Sequence, residues 1–235
     1  MRTFLQTHEQ VLHSAIEAIP ESPSIQTFRD KFELFIHVAL LITIQAHQVK
    51  LTANGGGTIC TTLNTELCRV DAIAGNQHPQ ELQDAVEVYT CLVIGLPFAT
   101  DLLSAIHSES LQSAGSKKMA QHFTPPKLAD LMLKFLGQDT LKAGNLVGDD
   151  TGCGAGGLLL AWMRNIYENR GDDPYPFEHK EVFANDMDPL CAAMTSLQIY
   201  ANRVWNGQPF KCIEVLCTDA ISGKGFKFFK NALSQ

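Results

Sequence analysis

The feature that most constrains this chain is a glycine-rich segment at residues 149–157, Asp-Asp-Thr-Gly-Cys-Gly-Ala-Gly-Gly. It follows an apolar pair and precedes the apolar stretch 158–163, an order that predicts a β-strand, a sharp turn and a helix. Glycines at four of the six positions 152–157 let the backbone bend sharply and approach a ligand closely. An ordinary strand-to-helix loop is the alternative, because a glycine-rich loop alone is a weak sign of a binding site.

From this segment onward, predicted strands alternate with predicted helices. The strands are expected at 146–150, 181–186 and 212–217. One helix is expected at about 156–168, and the next begins with Asp188 as its N-cap and Pro189 at its first position. This alternation predicts an α/β fold with a parallel, doubly wound sheet.

An aspartate stands at or just beyond the end of each predicted strand. Asp150 ends the first strand, Asp186 ends the second, and Asp219 follows the third. Ligands of open α/β sheets bind beyond the carboxyl ends of the strands. The three carboxylates are therefore expected to face one binding site, although an ordinary loop position remains the alternative for Asp219.

Residues 1–116 are predicted to be all-α. Apolar residues recur at spacings of four and three along 28–46, which predicts a helix that is buried on nearly all sides. The small, polar stretch 113–118 is interpreted as a hinge before an α/β region at 117–235. Two interpretations of the helical region stay open: contact with a target or partner, and a scaffold packed onto the α/β region.

The segment 121–126, Gln-His-Phe-Thr-Pro-Pro, opens a further predicted helix. Thr124 is expected to be its N-cap, with Pro125 in the first turn. The predicted apolar face of this helix consists of Leu128, Leu131, Met132, Phe135 and Leu136.

Four short sequence motifs follow one another along residues 123–220. They are Phe-Thr-Pro at 123–125, Asp-x-x-Cys-Gly-x-Gly at 150–156, the acidic strand end at 186, and Thr-Asp-Ala at 218–220. In this order, over residues 117–221, the chain resembles the S-adenosylmethionine-binding half of the adenine-specific DNA methyltransferases. It is most similar to the modification subunit of type I restriction-modification systems. The resemblance implies a Rossmann-like half-domain in a bacterial, phage or plasmid protein.

The resemblance also implies a role for each site residue. Phe123 and Thr124 would pack on and hydrogen-bond the methionine end of S-adenosylmethionine. Asp150 would bond its ammonium group directly or through water. Gly154 and Gly156 would let the backbone pass close to the methionine and the ribose.

The remaining two roles concern the nucleoside end of the cofactor. Asp186 would accept hydrogen bonds from both ribose hydroxyls, as the acidic residue of dinucleotide-binding folds does. Asp219 would accept one from the adenine amino group. No metal is expected, because the eight histidines show no metal-binding spacing.

One element of the family is missing. Amino-adenine methyltransferases carry Asn or Asp, then Pro-Pro, then an aromatic residue that stacks on the flipped base. Pro125-Pro126 is the only Pro-Pro pair, and it precedes the glycine-rich segment. The chain is expected to be truncated before this element, so no catalytic residue is assigned and methylation by the chain alone is not expected.

Two functions from different classes follow. In the first, the chain is an adenine-specific DNA methyltransferase, or half of one, whose catalytic element comes from another chain or is lost from this sequence. In the second, it is a non-catalytic cofactor-binding or regulatory protein of a restriction-modification system. A methyltransferase acting on RNA or protein is a third option.

Composition bears on partners and compartment. The 235 residues carry a formal net charge of −7, whereas nucleic-acid binders usually show an excess of Lys and Arg. Contact with DNA is therefore expected through or with a partner subunit. Seven cysteines, none in a Cys-x-x-Cys pair, are interpreted as reduced thiols of a cytoplasmic protein. No membrane contact is expected, because the apolar region 32–44 is too short to span a bilayer.

Association is expected from the topology. A doubly wound sheet would place a fourth strand beside the first. If that strand is absent, the first strand becomes an edge, which proteins normally cover. The apolar content of 28–46 and 86–106 also exceeds what three short strands need. A homo- or hetero-oligomer with the first strand near the contact is therefore expected, with coverage by the N-terminal helices as the alternative.

Overall fold

The computed structural model of the chain describes residues 2–54, 59–73, 78–113, 123–135 and 147–233. Its elements are α1 (Arg2–Glu17), α2 (Phe28–Ala53), β1 (Ile59–Leu63), a 3-10 turn (Thr65–Leu67), α3 (Val70–Ile73), α4 (Gln80–Gly95), α5 (Ser104–Ser113), α6 (Pro126–Phe135), β2 (Val147–Thr151), α7 (Gly157–Glu168), β3 (Glu181–Asp186), α8 (Pro189–Trp205), β4 (Cys212–Thr218) and β5 (Gly225–Leu233). The three strands predicted around the glycine-rich segment and the helices between them are present. Asp188 caps α8 as predicted, since its carboxylate accepts the Leu190 N–H.

The strands form one mixed, five-stranded sheet in the order β1-β5-β4-β3-β2. β2, β3 and β4 are parallel, whereas β5 runs antiparallel to β4 and β1 antiparallel to β5. The α/β class is confirmed, and the expectation of a wholly parallel sheet is wrong. Residues 219–224 join β4 to β5 without a helix, and so short a connection can join only antiparallel strands.

The N-terminal part of the chain supplies a strand as well as helices, so the expectation of an all-α region is wrong. β1 pairs with β5 from Ile59↔Leu233 to Leu63↔Phe229. Helices α2 and α4 pack on α8, and the buried apolar side chains of both parts form a single core. This packing agrees with the scaffold interpretation of the helices. The predicted boundary between residues 116 and 117 lies outside the described residues.

Helix α2 is the long core helix of the N-terminal part. Thr27 and Asp30 begin it with reciprocal side-chain and backbone hydrogen bonds, a capping box. Its length and composition would also suit a membrane-spanning helix, with a mean hydropathy of 1.4 over its most apolar window. Half of that window is buried inside the protein, which is the packing of a core helix. The apolar residues expected at an interface are therefore largely internal.

Helix α6 begins one residue later than expected, and it buries a different set of side chains. The Pro125 carbonyl accepts the first helical N–H groups, so Thr124 is not the N-cap. Ala129 and Leu133 are the buried residues of this helix, which packs on α7. The Asp130–Arg164 ion pair, with Nη2 and Oδ1 at 2.9 Å, holds this orientation. Four of the five residues of the predicted apolar face are instead exposed: Leu128, Leu131, Met132 and Phe135. The fifth, Leu136, lies outside the described residues.

Strand β2 lies at one end of the sheet, as expected. It pairs with β3 on one side, and within the described ranges no strand pairs with its other side. The fourth strand that a doubly wound sheet would place beside β2 is therefore not found among the described strands. β5, a further strand that was not expected, pairs antiparallel with β4 instead.

The contact between α7 and α8 predicts a large effect of one substitution. Gly156 has a φ of 86°, and a Cβ there would lie 3.2 Å from Thr195 Oγ1 on α8. We expect Gly156→Ala to lower the free energy of unfolding by roughly 2–3 kcal/mol, through backbone strain plus crowding. Gly207→Ala is the matched control, because Gly207 has a φ of 65° and no described atom within 4 Å of an added Cβ. Strain alone should cost about 1 kcal/mol there. Equal losses in urea unfolding would contradict the packing argument.

Candidate functional site

Asn185 joins the carboxyl ends of the three parallel strands. Its side-chain oxygen accepts from the Thr218 hydroxyl at 2.7 Å and from the Thr218 N–H at 3.1 Å, and its amide donates back to the Thr218 carbonyl at 3.1 Å. Its backbone carbonyl accepts the N–H groups of Gly152 at 2.7 Å and Cys153 at 3.0 Å. The glycine-rich loop after β2 is thereby fixed against the ends of β3 and β4.

Four N–H groups of the loop already donate hydrogen bonds to other protein groups. Besides the two bonds to Asn185, the Gly154 N–H donates to Asp186 Oδ2 at 2.9 Å and the Gly156 N–H to the Cys153 carbonyl at 2.8 Å. Phosphate-binding glycine loops instead leave such groups directed at the ligand. The arrangement therefore does not favour a nucleotide phosphate.

Asp186 braces this loop from the end of β3. In addition to the Gly154 N–H, its carboxylate accepts the Asp188 N–H on Oδ1 at 2.9 Å. A carboxylate has about four lone-pair positions, so it can accept further bonds from a ligand. The structure thus places Asp186 beside the loop, as the sequence predicted.

A small cleft opens beside the loop. Its lining includes four of the predicted site residues: Phe123, Thr124, Asp150 and Gly154. The Phe123 ring lies directly over Gly154, where an added Cβ would be 2.8 Å from Cε1. The cleft holds about 40 Å³, whereas small-molecule sites typically hold roughly 300–1,000 Å³. A whole cofactor fits only if the Phe123 ring moves aside.

Asp150 is the charged residue among those that line the cleft, and the carboxylates of Asp149 and Asp186 lie close enough to act on it. Burial, followed by the charges of Asp149 and Asp186, raises the pKa of the Asp150 carboxyl above its usual value. No arginine, lysine or histidine among the described residues forms an ion pair with Asp150 or Asp186. A ligand with a positive group would relieve this repulsion, and an anion would increase it.

Three of the predicted site residues do not line the cleft. Asp186 braces the loop from the end of β3, and the other two have different roles. Gly156 faces Thr195 on α8, so it serves helix packing and does not line the cleft. The Asp219 carboxylate accepts the N–H groups of Ile221 at 2.9 Å and Ser222 at 3.4 Å. It therefore closes its own turn between β4 and β5 and is not among the residues that line the cleft.

Sequence reasoning missed the residues that support the loop from α8 and from the segment before α5. The Thr195 hydroxyl donates to the Gly154 carbonyl at 2.8 Å, and Gln198 Nε2 donates to the Ala155 carbonyl at 2.7 Å. Ser104 lines the cleft. No local pattern marks these residues, because each lies far along the chain from the loop residue that it supports, 41 positions for Thr195 and 43 for Gln198.

Comparisons with known proteins leave the family open. No protein-family model matches the chain, and no curated protein matches it at a significant level.

The raised pKa of Asp150 predicts a pH-dependent stability effect. The folded state disfavours the ionised carboxyl, so stability falls as the pH rises from the ordinary pKa through the raised one. We therefore expect Asp150→Asn to raise the midpoint of thermal unfolding at pH 7 by about 1–3 °C. The gain should vanish at roughly pH 4, near the ordinary pKa of an aspartate. Asp149→Asn, at an exposed position, is the control and should give a smaller gain. A destabilised Asp150→Asn at pH 7 would contradict the repulsion.

Proposed function

We propose that this chain binds S-adenosylmethionine at the carboxyl edge of its sheet. The observation that carries the proposal is the acidic cleft itself: Asp150 is partly buried, has no cationic partner among the described residues, and lies beside a glycine-rich loop. S-adenosylmethionine carries two positive groups and no phosphate. It therefore suits both the carboxylates without a cationic partner and a loop in which four N–H groups are already bonded.

Each of these residues would contact a different part of S-adenosylmethionine. Asp150 accepts from its ammonium group, and Thr124, which lines the same cleft, hydrogen-bonds the methionine end. Asp186 accepts from the ribose hydroxyls while it keeps its two backbone bonds. Phe123 swings from Gly154 to pack on the bound ligand, which widens the cleft. Asp219 reaches the adenine amino group only if its turn opens.

The sequence resemblance extends the proposal to a substrate. When bound, the cofactor supplies a methyl group on a positively charged sulfur, for transfer to the exocyclic amine of an adenine in DNA. The family's Pro-Pro-aromatic element is absent from this sequence. We therefore propose that a second chain completes the catalytic site, in the manner of a type I modification subunit. The gene would be bacterial or carried by a phage or plasmid, and the complex would act in the bacterial cytoplasm.

A non-catalytic role is the second candidate. The small cleft and the engagement of Asp219 in its own turn favour a protein that binds the cofactor for regulation or contacts a restriction-modification complex without methylating DNA itself. The first candidate and the regulatory form of the second both require cofactor binding, so that property is tested first.

Binding should depend on the two aspartates at the cleft. Titration calorimetry should show one S-adenosylmethionine per chain, with Asp150→Ala and Asp186→Ala each weakening the affinity at least about tenfold. Loss of a hydrogen bond to a charged group, on the order of 1.5–3 kcal/mol, is the physical reason. Asp172→Ala, in an exposed loop, is the matched control and should bind normally.

Two outcomes of that titration decide against the site. One is an unchanged affinity in the double variant Asp150→Ala/Asp186→Ala. The other is tighter binding of ATP than of S-adenosylmethionine, which would indicate a phosphate site. With binding established, labelled cofactor and adenine-rich duplex DNA should yield no transfer above background. Transfer by the isolated chain would show that its catalytic residues have been missed.

A partner chain is proposed at the open side of β2. Among the described residues no strand pairs with this edge, and α6, which packs on α7, exposes the apolar side chains Leu131 and Phe135. Light scattering at micromolar concentration should therefore show a dimer or a larger assembly. Leu131→Lys/Phe135→Lys should shift the mass to that of a monomer, whereas Ile221→Lys, a fully exposed turn residue, should not. A monomeric wild-type mass would remove the homo-oligomer and leave only a different partner chain.

A further inference from the structure

A second cluster of polar side chains lies buried where α5 meets the start of α8. A ring nitrogen of His107, a carboxylate oxygen of Asp188 and Sγ of Cys191 all lie within 4.8 Å of one another. The three residues are 0%, 7% and 1% exposed. Asp188 and Cys191 are the N-cap and the third residue of α8, whereas His107 comes from the N-terminal part of the chain. The cluster therefore forms only when the two parts pack together.

The imidazole of His107 is unsatisfied. Neither ring nitrogen has a hydrogen-bond partner among the described residues. Aromatic rings surround it, with the centroids of Phe32 at 5.9 Å and Phe123 at 5.1 Å. Burial lowers the pKa of His107 to about 4, so the ring is neutral at neutral pH and carries a lone pair. Buried polar groups of native proteins are normally paired, so a ring nitrogen without a partner calls for a ligand as its explanation.

We propose that His107, Asp188 and Cys191 bind one divalent cation, with zinc as the best match. Imidazole nitrogen, thiolate sulfur and carboxylate oxygen are all ligands of zinc, and three protein ligands leave a fourth position for water. The two anionic ligands neutralise the ion, which a buried site requires. Zinc–ligand bonds of about 2.0–2.3 Å separate tetrahedral ligands by about 3.3–3.6 Å. The three atoms, which lie within 4.8 Å of one another, must therefore approach by at most about 1–1.5 Å.

The surroundings of the cluster are compatible with a cation. Asp188 Oδ1 also accepts the Leu190 N–H at 2.9 Å, and a carboxylate has lone pairs for both the cap and a metal. Asp186 adds a negative charge that acts on Cys191, while Arg29 acts in the opposite sense on both Cys191 and His107. The cation would thus join a site with more negative than positive charge nearby.

Burial raises the pKa of the Cys191 thiol, so the thiol is protonated before the metal binds. Formation of the metal–sulfur bond breaks the S–H bond, and the proton leaves to solvent. One proton should therefore be released for each zinc bound, with His107 contributing none because its ring is already neutral.

A cysteine, a histidine and an aspartate also suggest a nucleophile with its base. That chemistry needs a thiolate beside an imidazolium, with the pKa of the thiol lowered. Burial has the opposite effect on both groups here, and none of the three residues is more than 7% exposed. The geometry therefore favours a metal over a reacting substrate.

The cation would brace the candidate cleft without belonging to it. The Asp188 N–H donates to Asp186, and the His107 ring packs edge-on against Phe123. A bond from α5 to α8 through the metal would fix both contacts. This proposal stands independently of cofactor binding, because none of its three ligands lines the cleft.

The experiment uses the full chain, stripped with a chelator and then titrated with zinc or cobalt. We expect one zinc per chain by elemental analysis, one proton released per zinc, and a cobalt form with a thiolate-to-metal charge-transfer band. Cys191→Ser should abolish that band, and His107→Gln should weaken zinc binding at least about 100-fold, since even outer-shell changes cost 10–100-fold. Cys212→Ser and His37→Gln are the matched controls, because both residues are buried outside the cluster, and they should bind zinc normally.

Three results would overturn the proposal. They are a stripped wild-type chain that takes up no zinc, a cobalt form without the thiolate band, and undiminished zinc binding in Cys191→Ser. If His107→Gln does not fold, the wild-type cobalt spectrum and the proton count still decide. Alkylation of Cys191 faster than of the exposed Cys60 would indicate a nucleophile and also contradict the metal site.

Discussion

Buried side-chain amides on α8 hold together the segments from which the candidate site is built. Gln198, 1% exposed, donates to the Ala155 carbonyl of the glycine-rich loop and accepts the Leu102 N–H at 2.9 Å. One turn later, Asn202 accepts the Ala99 N–H at 3.0 Å. A buried amide left without a partner costs about 1–3 kcal/mol, so these bonds fix both segments relative to the helix. Because the sheet and α2 cover α8 on different sides, the loop, the helical part and the sheet are positioned by one element.

The acidic edge shows a conflict between stability and binding. Asp149, Asp150 and Asp186 place like charges together, and burial increases the repulsion at Asp150. Among the described hydrogen bonds, two backbone N–H groups stabilise the negative charge of Asp186, and no such bond is found for Asp149 or Asp150. Sites that store unfavourable interactions of this kind are typical of functional surfaces, because a ligand can relieve what the fold alone does not. The buried ring nitrogens of His107, near the first turn of α8, are likewise an unfavourable interaction that a ligand could relieve, because they have no hydrogen-bond partner among the described residues.

Prediction from the sequence succeeded where the signals are local. The strand–glycine–helix order, the Asp188 cap and the edge position of β2 are all present in the structure. It failed where a distant contact decides. Strand β1 pairs with the edge of β5, and α6 packs on α7 through Ala129 and Leu133, which leaves its predicted apolar face exposed. Hydrophobic periodicity and secondary-structure propensity indicate which face of a segment is apolar. They do not indicate which other segment packs against that face.

The sequence by itself determined the α/β class, the glycine-rich turn after β2 and the carboxylates at the strand ends, because each depends on residues within a few positions of one another. Only the tertiary structure decided that β5 returns antiparallel, that Asp219 closes its own turn, and that His107 meets Asp188 and Cys191. These outcomes depend on the packing of segments more than 80 residues apart or on the length of one connection. The stable arrangement is the one that buries apolar side chains and pairs buried polar groups. Both conditions depend on the whole chain and not on one segment.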